Sequence, residues 1–160
     1  MTIELHVGEV DRSIAIMKEV AHWGKNIGRN IWNEQELNRE NLLNYYSEDE
    51  FYLITVDGED AAAMIMQWED HQFWPEFDKN DAGYLHHMSV RRSFSGQGLT
   101  GHLINYAVDE CKKRKVDKLR LDTAWGNVFL RSIYEHNGFE LYDKFILEDH
   151  YEFARYEKKI

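Results

Sequence analysis

Hydrophobic residues recur along this chain with two periods, and the points where one gives way to the other mark out its elements. Thr2 to Val7 alternates as a strand. Asp11 then stands where a helix cap is expected, and Ile14, Met17, Val20 and Ala21 follow at helical spacing until Gly24 and Gly28 break the run. A second helix is predicted over about Asn33 to Asn44, with Leu37 and Leu42 inward and Glu34, Glu36, Arg39 and Glu40 mostly outward. Phe51 to Val56 and Ala61 to Trp68 are β-prone runs on either side of Asp57-Gly58-Glu59-Asp60, a short-range hairpin signal, so the two should pair antiparallel.

Glu69 to Ala82 is long for a connection and mixes polar residues with Phe73, Trp74, Phe77 and the single proline, Pro75. Its aromatic cluster reads as a packed lid, a dimer contact or a substrate clamp. Tyr84 to Val90 is again β-rich, Arg91 to Gln97 is polar and glycine-bearing, and from Gly98 onward apolar residues return at helical spacing. Leu99, Leu103, Tyr106, Ala107 and Cys111 form one helix face, with cations from Lys112 to Lys115 at the C-terminal end, where the helix dipole favours them. Leu119 to Thr123 makes a strand; Asn127 caps a helix carrying Leu130, Ile133 and Tyr134; Asn137-Gly138 stops it. Phe139 to Tyr142 and Tyr151 to Glu157 read as two closing strands around a charged loop. A hairpin followed by two strand–helix units implies an α/β or α+β domain with a mixed sheet of six or seven strands. With 160 residues, one domain spanning residues 1–160 is expected.

Composition narrows the function classes. A formal net charge of −10 argues against a sequence-independent grip on nucleic acid, so an anionic ligand would need a local site. The acidic surplus suits a cationic acceptor such as an amine and equally serves solubility. No apolar run approaches the roughly 18 residues of a membrane helix, and the opening Met-Thr-Ile-Glu-Leu-His-Val lacks the features of a signal peptide, so a cytoplasmic location and no membrane partner are expected. The single cysteine, Cys111, and the absence of paired cysteine spacing point to no metal site.

The candidate chemistry centres on Tyr84 to Leu103. A strand, a glycine loop and a helix in that order turn backbone N–H groups toward the positive end of the helix, which is an anion site suited to phosphate. It is not the loop of a P-loop nucleotide enzyme, because no Gly-x-x-x-x-Gly-Lys-Ser/Thr occurs.

Ser95-Gly96-Gln97-Gly98-Leu99-Thr100 resembles the cofactor motif of the GCN5-related N-acetyltransferase family, Arg/Gln-x-x-Gly-x-Gly/Ala, with Gly98 at the first required glycine. Ser95 and Thr100 depart from that pattern, and Gly101 follows at once. Asn127 to Phe139 is similar to the family's Asn…Leu-Tyr-Glu-Lys-x-Gly-Phe segment, and the two stretches occur in the family's order, separated by one helix and one strand. The resemblance implies a single-domain acyl-CoA N-acyltransferase fold: a mixed, mostly antiparallel sheet of six or seven strands flanked by about four helices.

It also implies transfer of the acetyl group of acetyl-CoA, the co-substrate, to the primary amine of a small molecule or peptide by direct attack in a ternary complex. A non-catalytic acyl-CoA-binding regulatory or interaction domain is the alternative. Met88, Ser89 and Val90 would pair with the pantetheine arm; Ser95, Gly96, Gln97, Gly98, Leu99, Thr100 and Gly101 would cradle the pyrophosphate; Asn127 would cap its helix and also meet the pantetheine arm. Arg91 and Arg92 either add charge there or are solvated surface residues. Tyr134 matches the family tyrosine that protonates the departing thiolate, the alternative being a packed helix aromatic. His86 resembles the histidine that arylalkylamine acetyltransferases carry on this strand, and would take the amine proton; the alternatives are one histidine packed in the core with the other solvated, and water in place of a fixed base, as is frequent in the family. His86 and His87, as strand neighbours, should point to opposite faces. Glu69 and Asp122 are reserve bases at strand ends and, with Trp32, complete the expected acceptor surface, where Trp32 is either pocket floor or core anchor. Family habit adds a possible homodimer.

Overall fold

A computed structural model describes residues 1–29 and 31–160. The elements run β1 (Ile3–Val7), α1 (Val10–Asn26), α2 (Arg39–Leu42), β2 (Phe51–Val56), β3 (Glu59–Gln67), β4 (Gly83–Val90), α3 (Leu99–Arg114), β5 (Lys118–Ala124), α4 (Val128–His136), β6 (Glu140–Leu147) and β7 (Tyr151–Lys159). The sheet is mixed and seven-stranded, in the order β1-β2-β3-β4-β5-β7-β6. β4 and β5 run parallel, whereas β1–β2, β2–β3, β5–β7 and β6–β7 are antiparallel. The chain forms two compact units, Met1–Met66 with His86–Ile104, and Gln67–Leu85 with Asn105–Ile160.

The first unit packs α1 over β2 and β3. Ile14, Met17 and Ala21 recur on one helix face and meet Leu37, Leu42, Phe51, Leu53 and Ile65, all buried. The hairpin between β2 and β3 turns at Asp57 and Gly58, both at positive φ (50° and 84°), which suits the right-handed twist of paired strands. Gly24 does not break α1, contrary to expectation. It lies inside the helix because the chain doubles back beside it, and a Cβ there would come within 2.5 Å of the Arg29 carbonyl. The expected helix over Asn33 to Asn44 is also corrected: a single 3-10 turn at Glu34–Glu36 precedes one turn of α2. Asn38 separates them, extended at φ −139° and accepting the Asn41 N–H on its side chain, so its capping preference ends one turn and starts another.

The second unit is organised around Trp74, fully buried with Ala82 and Tyr84 and flanked by Phe73 and Phe77. The long connection is therefore a packed cluster. Arg120 and Arg155 stack against it, with guanidinium carbons 5.0 and 4.5 Å from the Trp74 ring. Arg155 pairs with Glu76 at 2.8 Å and Asp143 at 2.7 Å, and Arg120 with Asp81 at 2.7 Å and Glu157 at 2.9 Å. The expected charged loop between the closing strands is mostly strand. Asp143 and Lys144 lie within β6, where Lys144 pairs with Glu152 of β7 at 2.6 Å, and the true turn holds only residues 148–150.

Candidate active site

In the first unit, the functional geometry begins with a kink. His87, inside β4, has φ of 52°, a left-handed conformation uncommon for a non-glycine residue. The expected alternation of His86 and His87 fails there. Both imidazoles reach the Tyr46 ring, with centroids at 5.3 and 6.1 Å, and Trp32 meets His87 at 5.0 Å with the rings tilted by 46°. Ser89 is buried and its hydroxyl donates to the His87 carbonyl at 2.9 Å, bracing the kink from within the strand. Burial pushes both histidines down to about 4, with His87 feeling the charge of His86 in addition, so both are neutral at pH 7. His87 Nδ1 is buried and meets no hydrogen-bond partner among the described residues. Trp32 also lines a cavity of about 680 Å³ with Lys18, Ala21, Lys25, Asn33 and Glu34, which makes it a wall residue as well as a support for the core.

β4 then runs into the glycine loop. Met88 and Val90 are partly buried, and the Arg91 N–H donates to the Ala61 carbonyl at 2.9 Å. A 3-10 turn at Arg92–Phe94 buries Phe94 and delivers Ser95, Gly96, Gln97 and Gly98, all exposed. Gly96 and Gly98 have φ of 81° and 76°, with open space on the side where a Cβ would project. These conformations need glycine and leave the backbone approachable. Leu99 is buried and fixes the start of α3, while Thr100 and Gly101 in its first turn are partly buried. The loop thus fits a phosphate group on its own geometry. Arg91 and Arg92 are not simply solvated: Arg91 Nε pairs with Glu19 at 3.3 Å, and the Arg92 guanidinium lies 3.8 Å over Trp23.

In the second unit, Asn127 caps α4, its side chain accepting the Leu130 N–H at 3.1 Å. Tyr134 on that helix is partly buried, with ring contacts to Tyr156 at 6.3 Å and Phe139 at 6.4 Å. Burial, reinforced by Asp122, raises its phenol above the ordinary value, so it stays protonated and available as a donor. Asp122 on β5 is itself pushed up to about 8 by burial and by Asp70, with the nearby Trp74 indole acting in the opposite direction. Trp74 Nε1 makes no hydrogen bond of good geometry among the described residues, so burial dominates. Asp70 is raised by burial while its Oδ1 accepts the Gln72 and Phe73 N–H groups. Glu69 pairs with His71 at 3.3 Å.

Sequence reasoning missed Tyr46, Asp70 and the tether between Glu19, Trp23 and the arginines. Asp70 carried a detectable signal, since an Asp three residues before Phe73 can cap a turn. The other contacts join residues far apart in the chain. Among the described residues, no cluster of three or more His, Cys, Asp or Glu could hold a metal ion, and no helix is long and apolar enough to cross a membrane.

The profile of the acetyltransferase (GNAT) family matches residues 17–139, a span containing the kinked strand, the glycine loop and the capped helix. The chain belongs to the acetyltransferase (GNAT) family. It is similar to the uncharacterized N-acetyltransferase YesJ of Bacillus subtilis (strain 168), 24% identical over 132 residues, covering 78% of this chain and 73% of that protein. A GNAT-family acetyltransferase structure from Listeria monocytogenes 4b F2365 is 24% identical, with a TM-score of 0.75 over 99% of this chain and 95% of that one. The PaiA N-acetyltransferase of Thermoplasma acidophilum, solved in complex with coenzyme A, is 19% identical with a TM-score of 0.72 over 100% of both chains. These structural likenesses establish the acyl-CoA N-acyltransferase fold. As a GNAT-family member, the protein is an acetyl-CoA-dependent acyltransferase, with acetyl-CoA as co-substrate.

Proposed function

We propose that the protein acetylates the primary amine of a small molecule or peptide by direct attack of that amine on the acetyl thioester, in the cytoplasm. The observation that carries direct attack is the state of the side chains that could otherwise form an acyl-enzyme. Cys111, the single cysteine, is buried, and burial pushes its thiol up to about 12, leaving almost no thiolate at neutral pH. Ser89 is buried and spends its hydroxyl proton on the His87 carbonyl. In this reading the amine lone pair forms the C–N bond itself, the C–S bond breaks with its electron pair leaving on sulfur, and the proton shed by nitrogen passes to water.

Within this reading the open backbone of Gly96 to Gly101 holds the pyrophosphate, and Met88 to Val90 pair with the pantetheine arm. A backbone N–H of that strand stabilises the charge that develops on the thioester oxygen. His86 and His87, both neutral, accept a hydrogen bond from the attacking amine, and Trp32 with Tyr46 forms an uncharged wall beside them. Their depressed basicity suits orientation of an amine that has already lost its proton to solvent better than removal of a proton from an ammonium. Asn127 meets the pantetheine arm while capping α4. Tyr134 donates its phenolic hydrogen to the departing sulfur, with Asp122 beside it held neutral at pH 7. Because the reference phenol, at about 10, is already a weaker acid than the reference thiol, at about 8.5, the raised phenol stabilises the thiolate as a hydrogen-bond donor more than as a full acid.

Thiol release from acetyl-CoA against a panel of monoamines, polyamines, amino acids and peptide N-termini tests the proposal. Release with at least one amine class, with the acetyl group recovered as an amide, is expected. CoA binding without release for any class would instead favour a non-catalytic acyl-CoA-binding domain.

A further inference from the structure

Two arginines in succession follow β4, and the structure treats them differently. Arg91 is fully engaged by the protein. Its Nε pairs with Glu19 Oε1 at 3.3 Å, its Nη1 donates to the Asp60 carbonyl at 3.1 Å, and its backbone N–H continues the β4 edge onto Ala61. A carboxylate thus compensates its charge, and two of its groups are tied to β3. Arg92 is exposed, and its guanidinium pairs with no carboxylate among the described residues. Glu19 reaches Arg92 only at the backbone, accepting its N–H on Oε2 at 3.3 Å.

The Arg92 guanidinium is nevertheless placed. It lies 3.8 Å over the Trp23 ring, and Nη2 donates to Ser95 Oγ at 3.1 Å. Glu19 and Trp23 are four residues apart and so share one face of α1, which carries both ends of the arrangement. Trp23 supports the cation through its π face without neutralising it, and the single bond to Ser95 leaves most of the five guanidinium donors available. This cation is bonded to Ser95, the residue before Gly96, in a chain whose formal net charge is −10, so an anion approaching the loop meets a local exception to the overall field.

We infer that Arg92 is the cation that holds the cofactor phosphates, positioned by Trp23 and by Ser95, while Arg91 is a structural strut. The inference rests on the proposed placement of those phosphates at the glycine loop. It also gives Ser95 a role, since a hydroxyl there accepts from a guanidinium supplied three residues earlier and removes the need for a cation at position 95 itself.

Calorimetric titration with CoA, and with S-acetylpantetheine, which lacks the phosphates, tests this directly. Arg92→Ala should weaken CoA binding about 10- to 100-fold, as for a charge-assisted pair, and flatten the dependence of affinity on salt. Acetylpantetheine affinity should stay within about twofold. Arg92→Gln, which keeps much of the stem over Trp23, should behave alike and serves if the alanine variant does not fold. Trp23→Leu should weaken CoA less than Arg92→Ala does. Arg92→Ala/Ser95→Arg should regain part of the lost affinity. An unchanged CoA affinity and salt slope in Arg92→Ala, or equal losses for CoA and acetylpantetheine, would overturn the inference. Gly98→Val separates the two readings. If Gly98→Val abolishes CoA binding while Arg92→Ala leaves it intact, the loop placement stands and Arg92 is wrong; if Gly98→Val has no effect, the placement itself fails.

Discussion

Beside Trp74, two arginines are each held between carboxylates of the protein; at the end of β4, a third is left uncompensated. Arg155 is bonded by Glu76, Asp143 and the Phe73 carbonyl, and Arg120 by Asp81, Glu157 and the Tyr84 hydroxyl. At the other region, Arg92 has an aromatic face and one hydroxyl, His87 Nδ1 has no partner among the described residues, and Gly96 and Gly98 expose bare backbone. The contrast separates two uses of the same residue type. A guanidinium enclosed by carboxylates holds structure, because removing it strands the partners. A guanidinium that is placed but uncompensated has its remaining interaction energy available to a ligand.

The largest expected effect probes the satisfied region. Trp74→Ala removes a fully buried ring and the platform for both arginines, and should cost about 3–5 kcal/mol of stability in urea denaturation. A loss below about 1 kcal/mol would break the claim that this cluster is a core. Next, Tyr134→Phe should lower kcat about 100-fold while leaving CoA affinity within about twofold, as for loss of one preorganised hydrogen-bond donor to developing charge. Equal losses in kcat and CoA affinity would move Tyr134 to the structural side of the comparison.

The pH dependence of stability should then divide the two regions by sign. His86 and His87 fall to about 4 in the folded protein from an ordinary value near 6.5, so the unfolded chain binds more protons between those limits. Their contribution is complete above about pH 6.5 and is lost as pH falls toward 4. Replacing both, as His86→Phe/His87→Asn, should flatten that acid limb of a plot of Tm against pH. In activity, kcat/KM should show no inflection near 6.5 and should instead track the ionisation of the acceptor amine. Asp122 works the other way. Its carboxyl, raised from 3.8 to about 8, binds its proton more tightly in the folded state, so its presence costs stability as pH rises through that interval. Asp122→Asn should therefore be more stable than the parent above pH 8 and nearly equal to it at pH 4. This is the smallest of the expected shifts, since one titrating group is replaced here and two in the histidine variant.

Much of the architecture could be read before folding because its determinants are local. Asp57-Gly58 specifies a tight hairpin, Asn127 and Gly138 bracket α4, and Leu99, Leu103, Ala107 and Cys111 recur on one face of α3 and are buried. Misreadings arose where a local signal had two outlets. Asn38 suited a helix interior less than the cap it became, and Asp143 and Lys144 looked like loop until their cross-strand partners in β7 were known. The glycine loop was legible as a motif, but the difference between Arg91 and Arg92 was not, because it depends on Glu19 and Trp23 some seventy residues earlier. Likewise the common side taken by His86 and His87 follows from one backbone angle that no period of two contains.

That angle changes what position 87 will accept. Strands favour Val, Ile and Thr, whose branching at Cβ fits a pleated surface, yet branching is what a left-handed backbone tolerates least. Glycine, and among the residues with a side chain Asn, Asp and His, enter this region of conformational space most readily. Position 87 thus draws on the vocabulary of turns in the middle of a strand, and Val, Ile or Thr placed there would strain the backbone before disturbing any contact of the imidazole.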